Sequence, residues 1–284
     1  MQTFERLDML RTEVAALTDG GARLALVPTM GALHEGHLTL VREAAKHADH
    51  VAVSIFVNPT QFGPNEDLDA YPRQLAEDSA MLEAEGVSLL WAPTVGEMYP
   101  MGFASSIAVE GVSAGFCGAN RPGHFDGVAT VVCKLFHQVL PHVALFGEKD
   151  WQQLAVIRAM ARDLDLTRPH VTDIIGVPTV REPDGLAMSS RNRYLTPPQR
   201  AAAAALPNAM QLAKAEMEMG APADTAMATL REVLLTSGFD SVDYANLADA
   251  GSLQVLEKLG EEPARLLVAA RIGSTRLIDN LAVG

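Results

Sequence analysis

The first half of the chain alternates short, nearly unbroken apolar runs with amphipathic segments, and few folds accommodate that rhythm. "ARLALVPTM" (residues 22–30) is apolar and closed by proline. "HVAVSIFVNP" (50–59) is β-branched and apolar, and ends in Asn-Pro. "VSLLWAP" (87–93) and "HVALFGEKD" (142–150) repeat the pattern, the last as a strand with its exit loop. Such runs read as strands buried on both faces. Between them, "HLTLVREAAKHA" (37–48) sets Leu38, Val41 and Ala45 near one helical face. "YPRQLAEDSAMLEAEG" (71–86) reads as a helix stopped by glycine, and "FDGVATVVCKLFHQVL" (125–140) and "WQQLAVIRAMARDL" (151–164) as further helices. The alternation predicts an α/β fold with a parallel sheet covered on both faces. Ligands in such sheets bind beyond the carboxyl ends of the strands. That draws residues 28–31, 58–61 and 147–150 toward one crevice.

The pattern changes after Gly176. "LTPPQRAAAAALPNAMQLAKAEMEMG" (195–220) opens on Thr-Pro-Pro, a good helix entry, and "PADTAMATLREVLLTSG" (222–238) is a second helix. The strand-like runs "VDYANL", "ARLLVAARI" and "TRLIDNLAV" follow. Helices followed by strands predict a small α+β unit. The expected division is residues 1–176 and 177–284.

Charge narrows the partners. A formal net charge of -13 argues against nucleic acid held over a broad surface, because neutralising phosphates needs clustered Lys and Arg. A small anionic substrate is compatible with local cations. Cys117 and Cys133 form no CxxC pair, and Cys133 sits in the apolar run "VATVVCKLF", as a small core residue would. A reducing cytoplasm fits. The first residues mix acids and bases, unlike a signal peptide. No run of about 18 uncharged apolar residues predicts a membrane span.

"VPTMGALHEGHL" (27–38) carries the sharpest chemistry. A strand ends, a glycine turns the chain, and a helix begins with two histidines three residues apart. Open backbone N–H groups at a helix start attract anions, and Gly31 and Gly36 remove bulk so that a ligand can approach. His34 and His37 suit either capping residues or donors to phosphate oxygens. An HxxH zinc pair lacks a visible third ligand. "GEKD" (147–150) follows a strand, and Lys149 offers a compact cation. In "AMSSRN" (187–192), Ser189 and Ser190 supply hydroxyls and Arg191 a bidentate fork. Asn58, Gln61 and Gln153 are neutral amides able to orient a small hydroxy acid without adding charge. Glu77 and Asp78 read either as an exposed helix face or as a pair holding an ammonium group.

"HEGH" resembles the HIGH signature of the nucleotidyltransferase superfamily, and "AMSSR" its KMSKS loop, with Ala187 and Ser190 at the two lysine positions. The wider blocks "PTMGALHEGHLTLV", "FVNPTQFGPNEDLDAYPR", "RPGHFDGVATVV", "LFGEKDWQQL" and "DGLAMSSRNRYL" resemble the pantothenate synthetase (pantoate–β-alanine ligase) family. The C-terminal third carries no comparably sharp motif.

That resemblance implies a Rossmann-like, doubly wound sheet with a smaller C-terminal α+β domain. It implies ATP-dependent condensation of pantoate with β-alanine through a pantoyl adenylate, with Mg²⁺ accompanying ATP on phosphates and water. The implied ATP site comprises Met30, Gly31, Ala32, Leu33, His34, Glu35, Gly36, His37, Gly147, Glu148, Lys149, Asp150, Val180, Met188, Ser189, Ser190 and Arg191. His34, His37, Lys149 and Arg191 are the implied catalytic groups, with no metal ligand among them. Gln61 and Gln153 are implied for pantoate, Gln61 also near β-alanine, with Asn58 beside them and Tyr71 flanking the pocket. Arg121 receives no role. The family also implies a homodimer. The rival readings are a cytidylyltransferase, separable by CTP use, and a module that binds ATP without releasing pyrophosphate.

Overall fold

The computed structural model describes residues 1–64 and 66–284. Asn65, within one of the motif blocks, lies outside the described residues. In chain order the elements are β1 (Gln2–Phe4), α1 (Leu7–Leu17), β2 (Leu24–Thr29), α2 (Glu35–Ala44), β3 (His50–Ile55), α3 (Leu75–Ala84), β4 (Leu89–Trp91), α4 (Val95–Met98), α5 (Phe116–Asn120), α6 (His124–Val139), β5 (Val143–Gly147), α7 (Trp151–Asp163), β6 (Ile174–Val177), α8 (Pro197–Ala203), α9 (Ala205–Glu218), α10 (Ala223–Thr236), β7 (Ser241–Asp249), β8 (Ala264–Ile272) and β9 (Thr275–Val283). Two compact units divide them. The first holds Met1–Ser113, Arg121–Glu148 and Gln153–Pro178; the second holds Ala114–Asn120, Lys149–Gln152 and Thr179–Gly284.

The first unit is built on a parallel sheet in the order β1-β4-β3-β2-β5-β6. Side-chain alternation explains how both faces are covered. Ala25 and Val27 of β2, Leu90 of β4 and Leu145 of β5 pack in one cluster with Leu40, Val41 and Ala44 of α2 and Leu82 of α3. Their strand neighbours point the other way. There Phe146 meets Phe136 of α6 edge-on, and Trp91 donates to Gln138 of α6 at 3.0 Å. The strand order reverses at β2, which has β3 on one side and β5 on the other. The carboxyl ends of β2 and β5 therefore flank the switch point, where ligands bind in such sheets.

Two edge strands escaped the sequence reading. β1 has only three residues, and β6 lies in "IIGV", short and interrupted by glycine. The helix expected over residues 71–86 begins at Leu75. Upstream of it the Arg73 guanidinium donates to the carbonyls of Leu68, Asp69 and Tyr71 and holds that stretch as a loop.

In the second unit, β7, β8 and β9 form an antiparallel sheet. Leu206, Met210 and Met217 of α9 and Leu230 and Leu234 of α10 bury against Leu247, Leu266 and Val268. The single helix expected over residues 195–220 is broken into α8 and α9 at Ala204. Pro207 has no N–H to give the Ala203 carbonyl, and its ring crowds that oxygen, so the first helix stops there.

Candidate active site

In the first unit the site is built on the turn from β2 into α2. The Thr29 hydroxyl donates to the Ser54 carbonyl at 2.8 Å and accepts from the Gly31 amide at 3.2 Å. Gly31 and Ala32 then take positive φ, 81° and 53°, which folds the chain sharply before the helix. His34 is the N-cap of α2.

The two histidines cap each other's backbone. Nδ1 of His34 accepts from the Gly36 amide at 3.1 Å, and Nδ1 of His37 accepts from the His34 amide at 3.3 Å. Their ring centroids lie 4.1 Å apart. A nitrogen that accepts a backbone N–H carries no proton, so each neutral ring keeps its proton on Nε2. Capping therefore takes only one nitrogen of each ring: Nδ1 accepts from the backbone, and the proton stays on Nε2. Glu35 is drawn to Arg42, which also pairs with Glu85, and this ties the acid of the motif to a cation on its own helix.

The amides of this turn differ from expectation. The sequence reading left them open to an anion. The Ala32 and Leu33 amides instead donate to the buried Asp78 carboxylate of α3, each at 2.9 Å. Asp78 is thus not on an exposed helix face, and its carboxylate takes two backbone amides and the Gln74 side-chain amide, whereas Glu77 is exposed.

Past β3, Asn58 is buried and polar on every side. Its amide nitrogen donates to Oε1 of Gln61 and to the Gly127 carbonyl, both at 3.1 Å. Its Oδ1 accepts from the Tyr99 hydroxyl at 2.8 Å and the Thr60 hydroxyl at 2.9 Å. Asn58 thereby fixes Gln61, whose Nε2 reaches Sδ of Met30 at 3.2 Å. The loops after β2 and β3 meet at that contact. Gly127 allows it, because a Cβ there would lie 2.5 Å from the Thr60 carbonyl oxygen. Tyr71 is buried edge-on against Phe62, and Gln153 is half-buried on α7.

Arg121 now has a structural place. Its Nε and Nη2 each donate to Glu66 at 2.6 Å, and Nη1 lies 2.9 Å from Nε2 of His124. Nδ1 of His124 is 2.9 Å from the Gln61 carbonyl. Burial pushes the Glu66 carboxyl up, but the Arg121 hydrogen bonds and charge outweigh it and hold the group at about 2. Neither Glu66 nor His124 stood out in the sequence, because a clamp between distant loops has no local periodicity.

At the β5 end, Gly147 and Glu148 belong to the first unit. Gly176 leaves room for Glu148, since a Cβ there would lie 3.1 Å from Cγ of Glu148.

The second unit carries Lys149, Asp150, Val180, Met188, Ser189, Ser190 and Arg191 of the expected set. Nδ2 of Asn280 donates to the Lys149 carbonyl at 2.9 Å, and Arg265, stacked on Trp151, donates to Oδ1 of Asn280 at 2.8 Å. The Lys149 ammonium lies 3.7 Å from the Asp150 carboxylate. Val180 and Met188 are joined by the Met188 amide to the Val180 carbonyl at 3.0 Å, at the base of a hairpin that turns at Gly185. The Arg181–Asp279 pair braces that hairpin against β9, at 2.7 and 2.9 Å. Ser189 then caps a short 3₁₀ turn, Ser190–Tyr194, by accepting from the Arg191 amide at 3.3 Å. Ala187, at the first lysine position of the superfamily signature, is buried.

A model of the family described as pantoate-beta-alanine ligase matches residues 2–282. The pantothenate synthetase of Novosphingobium aromaticivorans is 67% identical over 284 residues, covering 100% of this chain and 99% of that protein. That of Sphingopyxis alaskensis is 60% identical, with 100% of each covered. The crystal structure of the Thermus thermophilus pantothenate synthetase superposes with a TM-score of 0.91 at 46% identity, covering 99% of both chains. The Francisella tularensis pantoate-beta-alanine ligase, solved in complex with beta-gamma ATP and beta-alanine, gives 0.82 at 33% identity, covering 99% of this chain and 97% of that one. The chain belongs to the pantoate–β-alanine ligase family.

Proposed function

We propose that this ligase makes pantothenate in two half-reactions, with the His34–His37 pair acting in the first. The pantoate carboxylate attacks the α-phosphorus of ATP, and the bond to the bridging oxygen breaks. A pantoyl adenylate forms and pyrophosphate leaves. The β-alanine amine then attacks the acyl carbon, loses a proton, and expels AMP. Activation is needed because a free carboxylate is a poor acyl donor at neutral pH.

The observation that carries this reading is the pair of backbone-engaged Nδ1 atoms. They fix the ring planes and leave the proton on Nε2 of each histidine. Donors set before the reaction are worth most where charge develops, here at the α-phosphoryl group. Charge stabilisation is the main role, with proton donation by His37 as a secondary one, since phosphoryl transfer leaves little covalent work for the protein.

In this reading Lys149, Ser189, Ser190 and Arg191 engage the triphosphate. Met30, Gly31, Ala32, Leu33, Glu35, Gly36, Gly147, Glu148, Asp150, Val180 and Met188 surround the nucleotide. Gln61 and Gln153 orient pantoate, Gln61 also meets β-alanine, and Tyr71 flanks them. Asn58 serves by holding Gln61 through its 3.1 Å bond.

Mg²⁺ would come with ATP, held largely by phosphates and water, and would neutralise phosphate charge there. Among the described residues no group of three His, Cys, Asp or Glu side chains is placed to hold a metal. A homodimer and a cytoplasmic location complete the proposal, the latter resting on the family and on two unpaired cysteines. Among the described residues no helix is long and apolar enough to cross a membrane.

The test is a substrate panel. ATP with pantoate alone should release pyrophosphate in a single burst, and β-alanine should then release AMP. Equal activity with CTP, or pyrophosphate release independent of pantoate, would overturn the proposal.

A further inference from the structure

Asp78 stands 44 residues beyond His34 in the sequence, yet it is bonded to the turn that carries the histidine pair. It is 1% exposed. Its Oδ2 accepts from the Ala32 amide and its Oδ1 from the Leu33 amide, each at 2.9 Å. Nε2 of Gln74, one helical turn earlier, also donates to Oδ1 at 3.1 Å. Each carboxylate oxygen is therefore engaged by the backbone it faces.

The turn needs such a partner. Ala32 is a non-glycine residue at φ 53°, a left-handed conformation that L side chains rarely hold without support. Gly31 beside it closes tightly on the same group, because a Cβ there would lie 3.0 Å from Oδ2. Both buried amides at this bend donate to that one carboxylate. The turn leads directly into His34, whose backbone is capped by His37.

We infer that Asp78 is a positioning residue for the adenylation step. It holds residues 31–33 in their strained turn and so sets where the His34 and His37 rings stand. This rests on the role proposed above for those histidines. It assigns Asp78 neither to the β-alanine ammonium nor to a metal, because its oxygens already take backbone donors.

The experiment compares Asp78→Asn with Glu77→Gln in the full chain. Hydrogen exchange is read by NMR at the Ala32 and Leu33 amides. Single-turnover adenylation, the KM of each substrate, Mg²⁺ dependence and thermal melting are measured alongside. Asparagine keeps one acceptor oxygen but turns an NH₂ group toward a donor. Asp78→Asn should therefore remain folded while exchange at one or both amides rises by about tenfold or more. Adenylation should slow by about 10- to 100-fold, the scale expected of a catalytic group displaced by about 1 Å. The β-alanine KM and the Mg²⁺ requirement should stay unchanged, and Glu77→Gln should match the parent.

A normal adenylation rate in folded Asp78→Asn would overturn the inference. So would a rise in β-alanine KM alone, or a changed Mg²⁺ requirement with unchanged amide exchange. If Asp78→Asn does not fold, Gln74→Ala takes its place. It removes one donor to Oδ1, and it should raise exchange at Leu33 and slow adenylation by a smaller factor. No change in either would count equally against the inference. The exchange measurement tests the clamp even if the reaction follows another course, which would show first in the parent enzyme.

Discussion

Replacing Glu66 by glutamine removes the charge that holds the Gln61 loop. Glu66 takes two hydrogen bonds of 2.6 Å from Arg121, and its carboxyl is held at about 2 against an ordinary 4.5. A shift of that size corresponds to about 3.4 kcal/mol at neutral pH if it is fully realised. The Glu66 side chain is 25% exposed, so solvent screening reduces the figure, and we expect about 2 kcal/mol. The sign is that of a depressed carboxylate. The contribution is complete above the unfolded value of 4.5 and disappears as pH falls toward 2. Urea unfolding followed by circular dichroism should show Glu66→Gln destabilised by about 2 kcal/mol near pH 7, and the gap to the parent should narrow steadily below about pH 4.5. The same variant should raise the KM for pantoate several-fold, because Arg121 and His124 reach Gln61 through its backbone carbonyl. Equal stability at neutral pH, or a gap that persists undiminished to about pH 2.5, would refute the reasoning.

His37→Ala should lower the adenylation rate by about 10²–10³ while ATP affinity falls less and the melting temperature stays close to the parent's. Single-turnover kinetics, ATP titration and calorimetry on one preparation check all three. Arg191→Ala should weaken use of ATP far more than binding of a preformed pantoyl-adenylate analogue, read by inhibition constants. Gly127→Ala should cost about 2–3 kcal/mol and displace the Asn58–Gln61 contact, because the added carbon would sit 2.5 Å from the Thr60 carbonyl oxygen and 2.8 Å from Cα of Gln61. Chemical unfolding and pantoate titration measure the two effects.

The strands that lead into the site were legible because β2 and β3 are apolar on both faces, but Pro28 does not close β2, lying inside it opposite Ser54, and β3 stops at Ile55, ahead of Asn58-Pro59. The His34–His37 motif was legible as a strand–glycine–helix junction. Its internal wiring was not, since sequence alone does not say which nitrogen of a histidine meets a backbone amide. Asp78 was hidden by its neighbours: one acid of the Glu77–Asp78 pair faces solvent and the other is buried, and residue type does not separate them. Arg121, Glu66 and His124 were unreadable for a related reason, as their partners come from a loop some 55 residues away. The second unit begins upstream of where the sequence pattern changes. Residues 114–120 and 149–152 join it through contacts such as Cys117 with the Tyr244 hydroxyl and Asn280 with Lys149, which no local pattern announces. The break at Ala204 was readable in principle from Pro207, and the alanine run concealed it.

Everything proposed for the two histidines depends on attack by the pantoate carboxylate at the α-phosphorus of ATP. Pantoate labelled with ¹⁸O in its carboxylate tests it most directly, with the products resolved by mass spectrometry after complete turnover. One label should appear in AMP, the other in the amide carbonyl of pantothenate, and none in pyrophosphate. Recovery of ADP, or of the label in phosphate or pyrophosphate, would contradict it.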